Sequence, residues 1–507
     1  MRNSPVILQI GLVRYEPAWE MVLRQIGIPF SVLSDSSVLL NEFSVIIVNS
    51  TMDVRQQAGI EDFILRGGSV LYTTNSADAI SDRTVSRSIV RSLPPSKNDS
   101  YQFHGILDLH SRVAFFHNND FVEIVQNGDG WKAYLGIDID IILSIGSTRK
   151  NFFRNSGRMP NETVAKRSKG TLRQLIFSLL RTLHHLQQIP FVHQWYYPGS
   201  EPTIFTMRID SDKGSQEQVE EIYALSEANA VPTTWFLDVK SHESWLSYFQ
   251  KFAHQEIGLH CYEHLLHRSA LLNKDNFGKA LSLLRIHSLE PKGITAPTGE
   301  WNNEYADAIE SLGFQYSSEF SFDYENLPSY PFTNGRFFPI LQIPIHPVCI
   351  GTMLRARMND EEMISYYRSI VDTNYLLNEP ICLYHHPTHG HNNVFEEVFR
   401  YINERKILKL TYTQYSEWWK RRNSNPGRLR YSNGMIESLS DEASYRIVQS
   451  DHSEAIVNIR GKIDINSVSF ATIRRDVPTN EHILRSRSFD ARHMLQNALD
   501  WWIKTTE

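Results

Sequence analysis

Two histidines follow a short apolar run in the segment Glu256-Ile-Gly-Leu-His260-Cys-Tyr-Glu-His264. This spacing lets both imidazoles reach one point, either across one helical turn or from a strand end and the loop after it. Two neutral imidazoles directed at one point are typical of a divalent metal site. The alternative is chance, because the chain contains 20 histidines and a stray pair is expected.

Two carboxylates end another predicted strand, in the segment Thr206-Met-Arg208-Ile-Asp210-Ser-Asp212. Alternate residues of an extended strand point the same way, so Arg208, Asp210 and Asp212 would share one face. Such a face packs poorly, but it suits a site where one carboxylate binds a cation and the other accepts a proton. The alternative is a solvated strand end that carries a surface ion pair.

Two later predicted strands also end in residues that could do chemistry. The segment Gly293–Trp301 closes in a turn that contains proline and glycine, and the segment Pro380–Pro387 ends in the adjacent histidines His385 and His386.

Taken in chain order, these motifs resemble those of the NodB-type polysaccharide deacetylases, a family of metal-dependent carbohydrate N-deacetylases. That family has an Asp-Asp pair, then His-[Ser/Thr]-x-x-His, Arg-x-Pro-x-Gly, an Asp/Trp segment and Leu-x-His. The resemblance spans roughly residues 200 to 420. It implies a (β/α) barrel, a divalent metal and hydrolysis of the N-acetyl group of a sugar.

The resemblance implies a role for each acid and for each of the first two histidines. His260 and His264 match the metal-binding histidines. Asp210 matches the catalytic base, and Asp212 matches the metal-binding aspartate. A serine separates the two acids here, whereas the family has them adjacent, so the two roles could be exchanged.

The later motifs supply the acid and the substrate site. The Leu-x-His motif ends at His385, but His386 competes with it for the role of acid. Pro297 and Gly299 match the third motif, and the resemblance places them in the substrate site. Trp301 follows that turn and could stack on a sugar ring.

The sequence departs from the family pattern in two places. Thr295 stands where the third motif has an arginine that pairs with the base, and only Asp323 is a loose candidate for the Asp/Trp segment. Arg208 lies on the predicted face of Asp210 and could supply the missing positive charge, because a nearby cation keeps a carboxylate ionised. We therefore place Arg208 in the predicted substrate site.

The composition excludes several classes of protein. Its 57 acidic and 51 basic residues leave no electrostatic footprint for nucleic acid. The three cysteines show no CxxC spacing, so neither a disulfide scaffold nor a zinc ribbon is predicted. No apolar run approaches the length of about 20 residues that a membrane helix needs, and the start lacks a signal-peptide pattern. A cytoplasmic protein is expected, with its oligomeric state left open.

Residues 1–100 are predicted to form a small parallel α/β domain, because β-branched apolar runs alternate there with helical stretches. The segment Glu61–Tyr72 resembles the helix-Gly-Gly-strand step of class I glutamine-amidotransferase-like domains. No cysteine precedes Cys261, so the usual nucleophile of that class is absent. We therefore expect a non-catalytic domain.

The rest of the chain is predicted to form three regions. Residues 101–195 form a connecting α/β region with a strand at 137–145 and a helix at 163–186. Residues 196–425 form the barrel, and residues 426–507 form a small β-rich domain with strands within 443–475 and a helix at 490–504. The predicted fold class is thus α/β, a distorted (β/α) barrel flanked by two small domains.

About seven βα units are predicted in the barrel region. Their predicted strands are 204–209, 232–238, 256–260, 293–297, 341–346, 380–386 and 408–412. Every motif falls at the carboxyl end of one of these strands, which is where barrel active sites are built. This agreement supports the metal site more than any single motif does.

The predicted function is metal-dependent removal of N-acetyl groups from a sugar or polysaccharide, with zinc as the ion and cobalt or nickel as alternatives. The carbohydrate is the predicted partner. Two other functions stay open. One is hydrolysis of another non-peptide amide, such as a cyclic imide or ureide. The other is a catalytically impaired carbohydrate-binding protein, suggested by the arginine missing at Thr295 and the inserted Ser211.

Overall fold

The computed structural model describes residues 5–33, 42–76, 80, 83–95, 105, 108–150, 162–252, 254–320, 322–323, 326–473 and 495. The predicted helix at 490–504 lies outside these residues, apart from position 495. The described residues form two compact units, each assembled from discontinuous segments. One unit draws on 5–143, 171–200 and 419–473, and the other draws on 144–170 and 201–418. The linear domain boundaries stay a prediction.

The second unit is built on eight parallel strands, which are β1 Ile204–Asp210, β2 Thr233–Asp238, β3 Glu256–Cys261, β4 Gly293–Ile294, β5 Tyr316–Ser317, β6 Leu341–Gln342, β7 Ile381–His385 and β8 Leu408–Lys409. Their order in the sheet is β6-β5-β4-β3-β2-β1-β7, and β8 pairs with the start of β1. Beyond β6 the chain returns to β7, where the His346 N–H donates to the Cys382 carbonyl at 2.9 Å. This curled parallel sheet agrees with the predicted (β/α) barrel.

Helices follow most of these strands and cover the outer side of the sheet. They are Gln216–Ala228, Val239–His242, Ala270–Ile286, Asn303–Ser311, Ile350–Arg355, Asp360–Leu377, Asn392–Glu404 and Tyr412–Ser424, with 3₁₀ turns at Glu243–Lys251, Pro297–Gly299 and Pro387–His389. Capping residues in the local sequence determine where several of these helices begin. Ser215 and Gln218 form a reciprocal capping box at the first helix, as Asn359 and Glu362 do at the helix that begins at Asp360.

Side chains alternate along β1 as the sequence predicts. Met207 and Ile209 pack into the apolar core between sheet and helices. Arg208 and Asp210 therefore point to the inner face, because successive side chains of a strand take opposite sides. Both polar residues are buried, at 1% and 3% exposure, so the barrel interior must satisfy their charges.

Three strands are clearly shorter than predicted. The predicted strand 408–412 is confined to Leu408–Lys409, because the next helix begins at Tyr412, and prolines explain the other two. The predicted strands 293–297 and 341–346 are confined to Gly293–Ile294 and Leu341–Gln342. Pro297 begins a 3₁₀ turn, and Pro344 lies two residues beyond β6. Proline has no N–H to donate to a sheet ladder, so regular pairing ends near it.

The first unit contains a six-stranded sheet with the order Phe30–Val32, Ile10–Leu12, Val45–Val48, Ser69–Tyr72, Gly130–Leu135 and Val122–Asn127. Its first five strands are parallel, and the last pairs antiparallel. Helices Pro17–Ile26 and Val54–Leu65 connect the early strands. The likeness of Glu61–Tyr72 to amidotransferase-like domains stays a prediction.

The first unit also pairs strands that are far apart in sequence. Val6–Ile7 pairs with Leu429–Ser432, and Phe191–Gln194 pairs with Ala443–Val448. The remaining strands of these two sheets are Met435–Ser438, Lys462–Asp464, Ser453–Ile459 and Ala471–Thr472. The C-terminal strands are thus completed by strands from the first 200 residues.

The connecting region differs from its prediction at two points. Residues 137–145 contain a 3₁₀ turn at Ile139–Leu143 where a strand was predicted, and Glu162–Ala165 is a strand where the helix was predicted to begin. The helix itself is Lys169–Leu186, and its predicted packing face is buried. The remaining elements are a 3₁₀ turn at Ile465–Ser467 and three antiparallel strand pairs, namely Ser86–Val90 with Ser111–Phe115, Ser147–Lys150 with Glu162–Ala165, and Phe332–Thr333 with Arg336–Phe337. Among the described residues, no helix combines the length and apolar character needed to cross a bilayer.

Candidate metal centre

Asp212, His260 and His264 meet at the carboxyl ends of β1 and β3. Asp212 Oδ1 lies 3.3 Å from His260 Nε2, and Asp212 Oδ2 lies 3.4 Å from His264 Nε2. One donor atom from each residue lies within 4.8 Å of the other two. The structure therefore brings together the three residues predicted as metal ligands, and we call them the carboxylate–imidazole cluster.

His260 is held in a single orientation by the neighbouring strand. Its Nδ1 lies 2.9 Å from the carbonyl oxygen of Thr295, which can only accept, so Nδ1 carries a proton and Nε2 faces Asp212. A metal-ligating histidine is usually oriented in this way. Burial lowers the pKa of His260, but the adjacent Asp212 carboxylate outweighs that effect and raises it to about 9.

The loop that carries His264 is tied to the helix after it. Asn276 Oδ1 accepts the N–H groups of Tyr262 and Glu263 at 3.1 and 2.8 Å, and its Nδ2 donates to the Glu263 carbonyl at 2.9 Å. The His264 side chain is 33% exposed, so this side of the cluster is open to solvent.

The inserted serine does not separate Asp212 from the histidines. Ser211 Oγ accepts the Asp238 N–H at 2.9 Å and lies 2.8 Å from His242 Nε2, so it is occupied by the chain beside β1. The next residue, Asp212, then reaches the histidines. The insertion is thus accommodated at the end of β1.

Asp212 has the properties of a carboxylate that binds a cation. Burial disfavours its ionised form, but His260 and His264 reverse that effect and hold the pKa of Asp212 below its usual range. Its Oδ1 is buried and accepts no hydrogen bond from the described residues. A carboxylate with a free buried oxygen beside two imidazoles fits a divalent ion such as zinc.

Asp210 is engaged differently. Arg208 Nε and Nη2 donate to its two oxygens, each at 2.6 Å, in a buried bidentate pair. Arg208 Nη1 also donates to the Ser318 carbonyl at 2.7 Å. The guanidinium thus lies against the second carboxylate, where the sequence suggested a substitute for the arginine missing at Thr295. Thr295 instead donates to the Ser318 carbonyl at 2.7 Å.

The two adjacent histidines at the end of β7, His385 within the strand and His386 directly after it, face opposite ways. His386 Nε2 lies 3.5 Å from Asp212 Oδ2 and 3.9 Å from Asp210 Oδ2. His385 is buried against Phe395, with ring centroids 4.7 Å apart, and burial holds its pKa well below the usual range. Strand alternation explains the difference. His386 thus faces the two carboxylates and His385 faces the core, while the identity of the acid stays a prediction.

The predicted substrate residues lie in the turn after β4 and in the core. Gly299 has φ +66°, and a Cβ there would lie 2.2 Å from the Phe320 ring, so the Pro297–Gly299 turn requires glycine. Trp301 is 4% exposed and packs edge-on against Tyr305 and other aromatic rings. A ring so deeply buried offers no face to a sugar, so the structure does not support stacking by Trp301.

The loose candidate Asp323 also has a local partner. Its Oδ2 accepts the Gly170 N–H at 2.9 Å, and the side chain is buried. It is not among the residues grouped around Asp212.

A second group of possible ligands was missed by the spacing argument. Cys349, His386 and His389 each place one donor atom within 4.8 Å of the other two, and we call them the thiol–imidazole cluster. Burial disfavours the thiolate, but contact with His386 reverses that effect and lowers the pKa of Cys349. The only signal in the sequence was the i, i+3 spacing of the two histidines.

No protein-family model and no curated protein matches the sequence. Solved structures do match. A protein described as a polysaccharide deacetylase from Mycobacterium smegmatis is 13% identical with a TM-score of 0.37, over 45% of this chain and 94% of that chain. One so described from Pseudomonas aeruginosa is 15% identical with a TM-score of 0.38, over 45% and 93%. An allantoinase is 16% identical with a TM-score of 0.38, over 45% and 93%.

Proposed function

We propose that the protein is a metal-dependent hydrolase that removes N-acetyl groups from an N-acetylated sugar or polysaccharide. The observation that carries the proposal is the convergence of Asp212, His260 and His264 beside a separate, arginine-paired carboxylate, Asp210, and a facing imidazole, His386. Metal-dependent amide hydrolysis uses a cation site, a base and an acid, and these residues could supply all three.

Asp212, His260 and His264 would hold the divalent ion, with zinc as the proposed metal and cobalt or nickel as alternatives. A bound ion of this kind supplies Lewis-acid polarisation of a carbonyl oxygen and acidifies water. The contact between His260 Nδ1 and the Thr295 carbonyl keeps Nε2 directed at the site. Among the described residues, Asp212 groups with both histidines, which supports the proposed metal role for Asp212 and leaves the role of base to Asp210.

Asp210 would take the proton from the attacking water. Each carboxylate oxygen has two lone pairs, and one hydrogen bond from Arg208 to each oxygen leaves a lone pair free on both. The bidentate guanidinium pairs with the carboxylate and fixes its plane. Arg208 is thus a positioning residue for the base.

His386 would donate the proton that the departing amine needs. Its Nε2 lies within 4 Å of both carboxylates, at 3.5 Å from Asp212 Oδ2 and 3.9 Å from Asp210 Oδ2. The proton passes from the imidazole to the amine nitrogen as the C–N bond breaks, which leaves an amino sugar and acetate. A positioned acid is worth about 10²–10⁴-fold in rate.

Acetate release from N-acetylated oligosaccharides tests the proposal. The wild-type protein with bound zinc should release acetate, and His264→Ala should lose both the ion and turnover. His267→Ala is the matched control, because His267 lies in the same loop outside the cluster, and it should keep both.

The outcome also separates the alternatives. If the protein hydrolyses a ureide or cyclic imide and releases no acetate from any acetylated sugar, the substrate is that other amide, and the metal-dependent mechanism is unchanged. Binding of acetylated oligosaccharides by zinc-loaded protein without turnover of any amide would contradict the proposal and favour a carbohydrate-binding protein.

A further inference from the structure

The thiol–imidazole cluster, Cys349, His386 and His389, lies on the β7 side of the barrel. Cys349 precedes the helix Ile350–Arg355, His386 follows β7, and His389 ends the 3₁₀ turn Pro387–His389. Their donor atoms lie within 4.8 Å of one another. We propose that Cys349, His386 and His389 form a second metal site, distinct in chemistry from the first, that binds zinc or a softer divalent ion.

The turn after β7 holds the two histidines together. The His389 N–H donates to the His386 carbonyl at 3.0 Å, and the two rings lie 4.6 Å apart between centroids. Nδ1 of each ring is buried and has no hydrogen-bond partner among the described residues. Buried imidazole nitrogens without partners cost free energy, which a bound cation would recover.

Glycine makes room for His389. A Cβ at Gly351 would lie 2.6 Å from Cε1 and Nε2 of the His389 ring. The ring therefore sits where only a glycine backbone allows it, in the first turn of the helix that begins after Cys349. The close approach brings His389 to the cysteine.

The donor set selects the ion. One thiolate and two imidazoles suit zinc and softer ions, whereas the carboxylate of the first cluster also suits harder ions. Three protein donors leave one tetrahedral position for water. On binding, the S–H bond of Cys349 breaks, a sulfur–metal bond forms and the proton passes to solvent.

The two clusters meet at His386, whose Nε2 lies 3.5 Å from Asp212 Oδ2. Occupancy of the second site would engage His386 and remove it from proton transfer. Excess zinc should therefore slow turnover in proportion to that occupancy. This consequence rests on the proposed function, whereas binding at the second site does not.

Titration of the metal-free full chain with cadmium tests the site, because a cadmium–thiolate bond gives an ultraviolet charge-transfer band. The wild-type protein should bind two ions per chain and show the band. His260→Ala/His264→Ala should bind one ion and keep the band. Cys349→Ser should bind one ion and lose the band.

Two further variants keep the test decisive. Cys382→Ser is the matched control, since Cys382 is buried outside both clusters, and it should behave as the wild type. His389→Asn keeps the thiol but removes one donor, and it should weaken the cadmium affinity of this site at least about tenfold. A band that persists in Cys349→Ser, or wild-type protein that binds one ion without a band, would overturn the second site. Neither result would bear on acetate release.

Discussion

Two buried histidines, one in each unit, show what distinguishes a ligand from a structural residue. His184 and His260 are both 2% exposed. Nδ1 of His184 lies 2.6 Å from the Leu180 carbonyl and Nε2 lies 2.9 Å from Ser44 Oγ, so both nitrogens have neutral partners. His260 has a carbonyl on one nitrogen and the Asp212 carboxylate on the other.

Two histidines that are equally buried therefore have pKa values shifted in opposite directions. Burial lowers the pKa of His184 to about 4, because its neutral partners do not compensate for lost solvation. The Asp212 carboxylate overcomes burial at His260 and raises its pKa to about 9. The carboxylate at the second nitrogen is therefore what distinguishes His260, a candidate ligand, from His184, a structural residue.

The largest expected effect separates the two carboxylates. Asp212→Asn should lose the bound ion and about 10⁴-fold in turnover, because it removes the charged ligand. Asp210→Asn should lose about 10³-fold in turnover but keep the ion, because it removes only the base. Metal analysis and acetate release on both variants check this. If Asp210→Asn loses the ion and Asp212→Asn keeps it, then Asp210 is the metal ligand and Asp212 is the base.

The next effect on turnover distinguishes the two adjacent histidines at the end of β7. His386→Gln should lower turnover about 10²–10³-fold with the ion in the first cluster retained, because the amine loses its proton donor. His385→Gln, at the outward-facing neighbour, should change turnover less than about threefold when the rate is expressed per folded protein. Equal losses in the two variants would contradict the assignment of His386.

Removal of the guanidinium tests the buried pair. Arg208→Met should lower turnover about 10²-fold and destabilise the protein by about 3–5 kcal/mol, since it leaves a buried carboxylate unpaired. Arg208→Lys keeps the positive charge but loses the two parallel hydrogen bonds of the guanidinium. It should recover part of the turnover and part of the stability that Arg208→Met loses. Ion content should stay normal in each. Unchanged turnover in folded Arg208→Met would remove this arginine from the mechanism.

The smallest effect is a pH dependence in the first unit. His184 has a folded-state pKa of about 4 and an ordinary value of 6.5, so the unfolded chain takes up a proton first as the pH falls. Its contribution is therefore full above pH 6.5 and is lost towards pH 4, by about 3 kcal/mol. Denaturant unfolding at both pH values should show a loss about 3 kcal/mol smaller in His184→Gln than in the wild type, because burial also lowers the pKa of His185 and His193, which remain in both proteins. Parallel losses in both proteins would contradict it.

The barrel and the first cluster were predictable because their signals are local. Apolar runs alternate with helical stretches, and Asp210, Asp212, His260 and His264 lie within or just after strands. The side of Arg208 followed from strand alternation alone. His385 and His386 could not be separated, because the register of β7 relative to β1 decides which of the two faces the acids.

Contacts between segments that are distant in the sequence left no local sequence pattern from which they could be predicted. Val6–Ile7 pairs with Leu429–Ser432 across more than 400 positions, so the C-terminal strands could not be joined to the N-terminus from pattern. Cys349 meets His386 through the irregular connection between β6 and β7. Trp301 follows a Pro/Gly turn typical of a site edge, but its ring enters the core.

The most direct test of the central claim measures ion content and acetate release on the same preparations of the full chain. A chelator should remove the ion and the activity together, and one equivalent of zinc should restore both in the wild type but not in His260→Ala/His264→Ala. Full acetate release from protein shown to contain no metal would contradict the account.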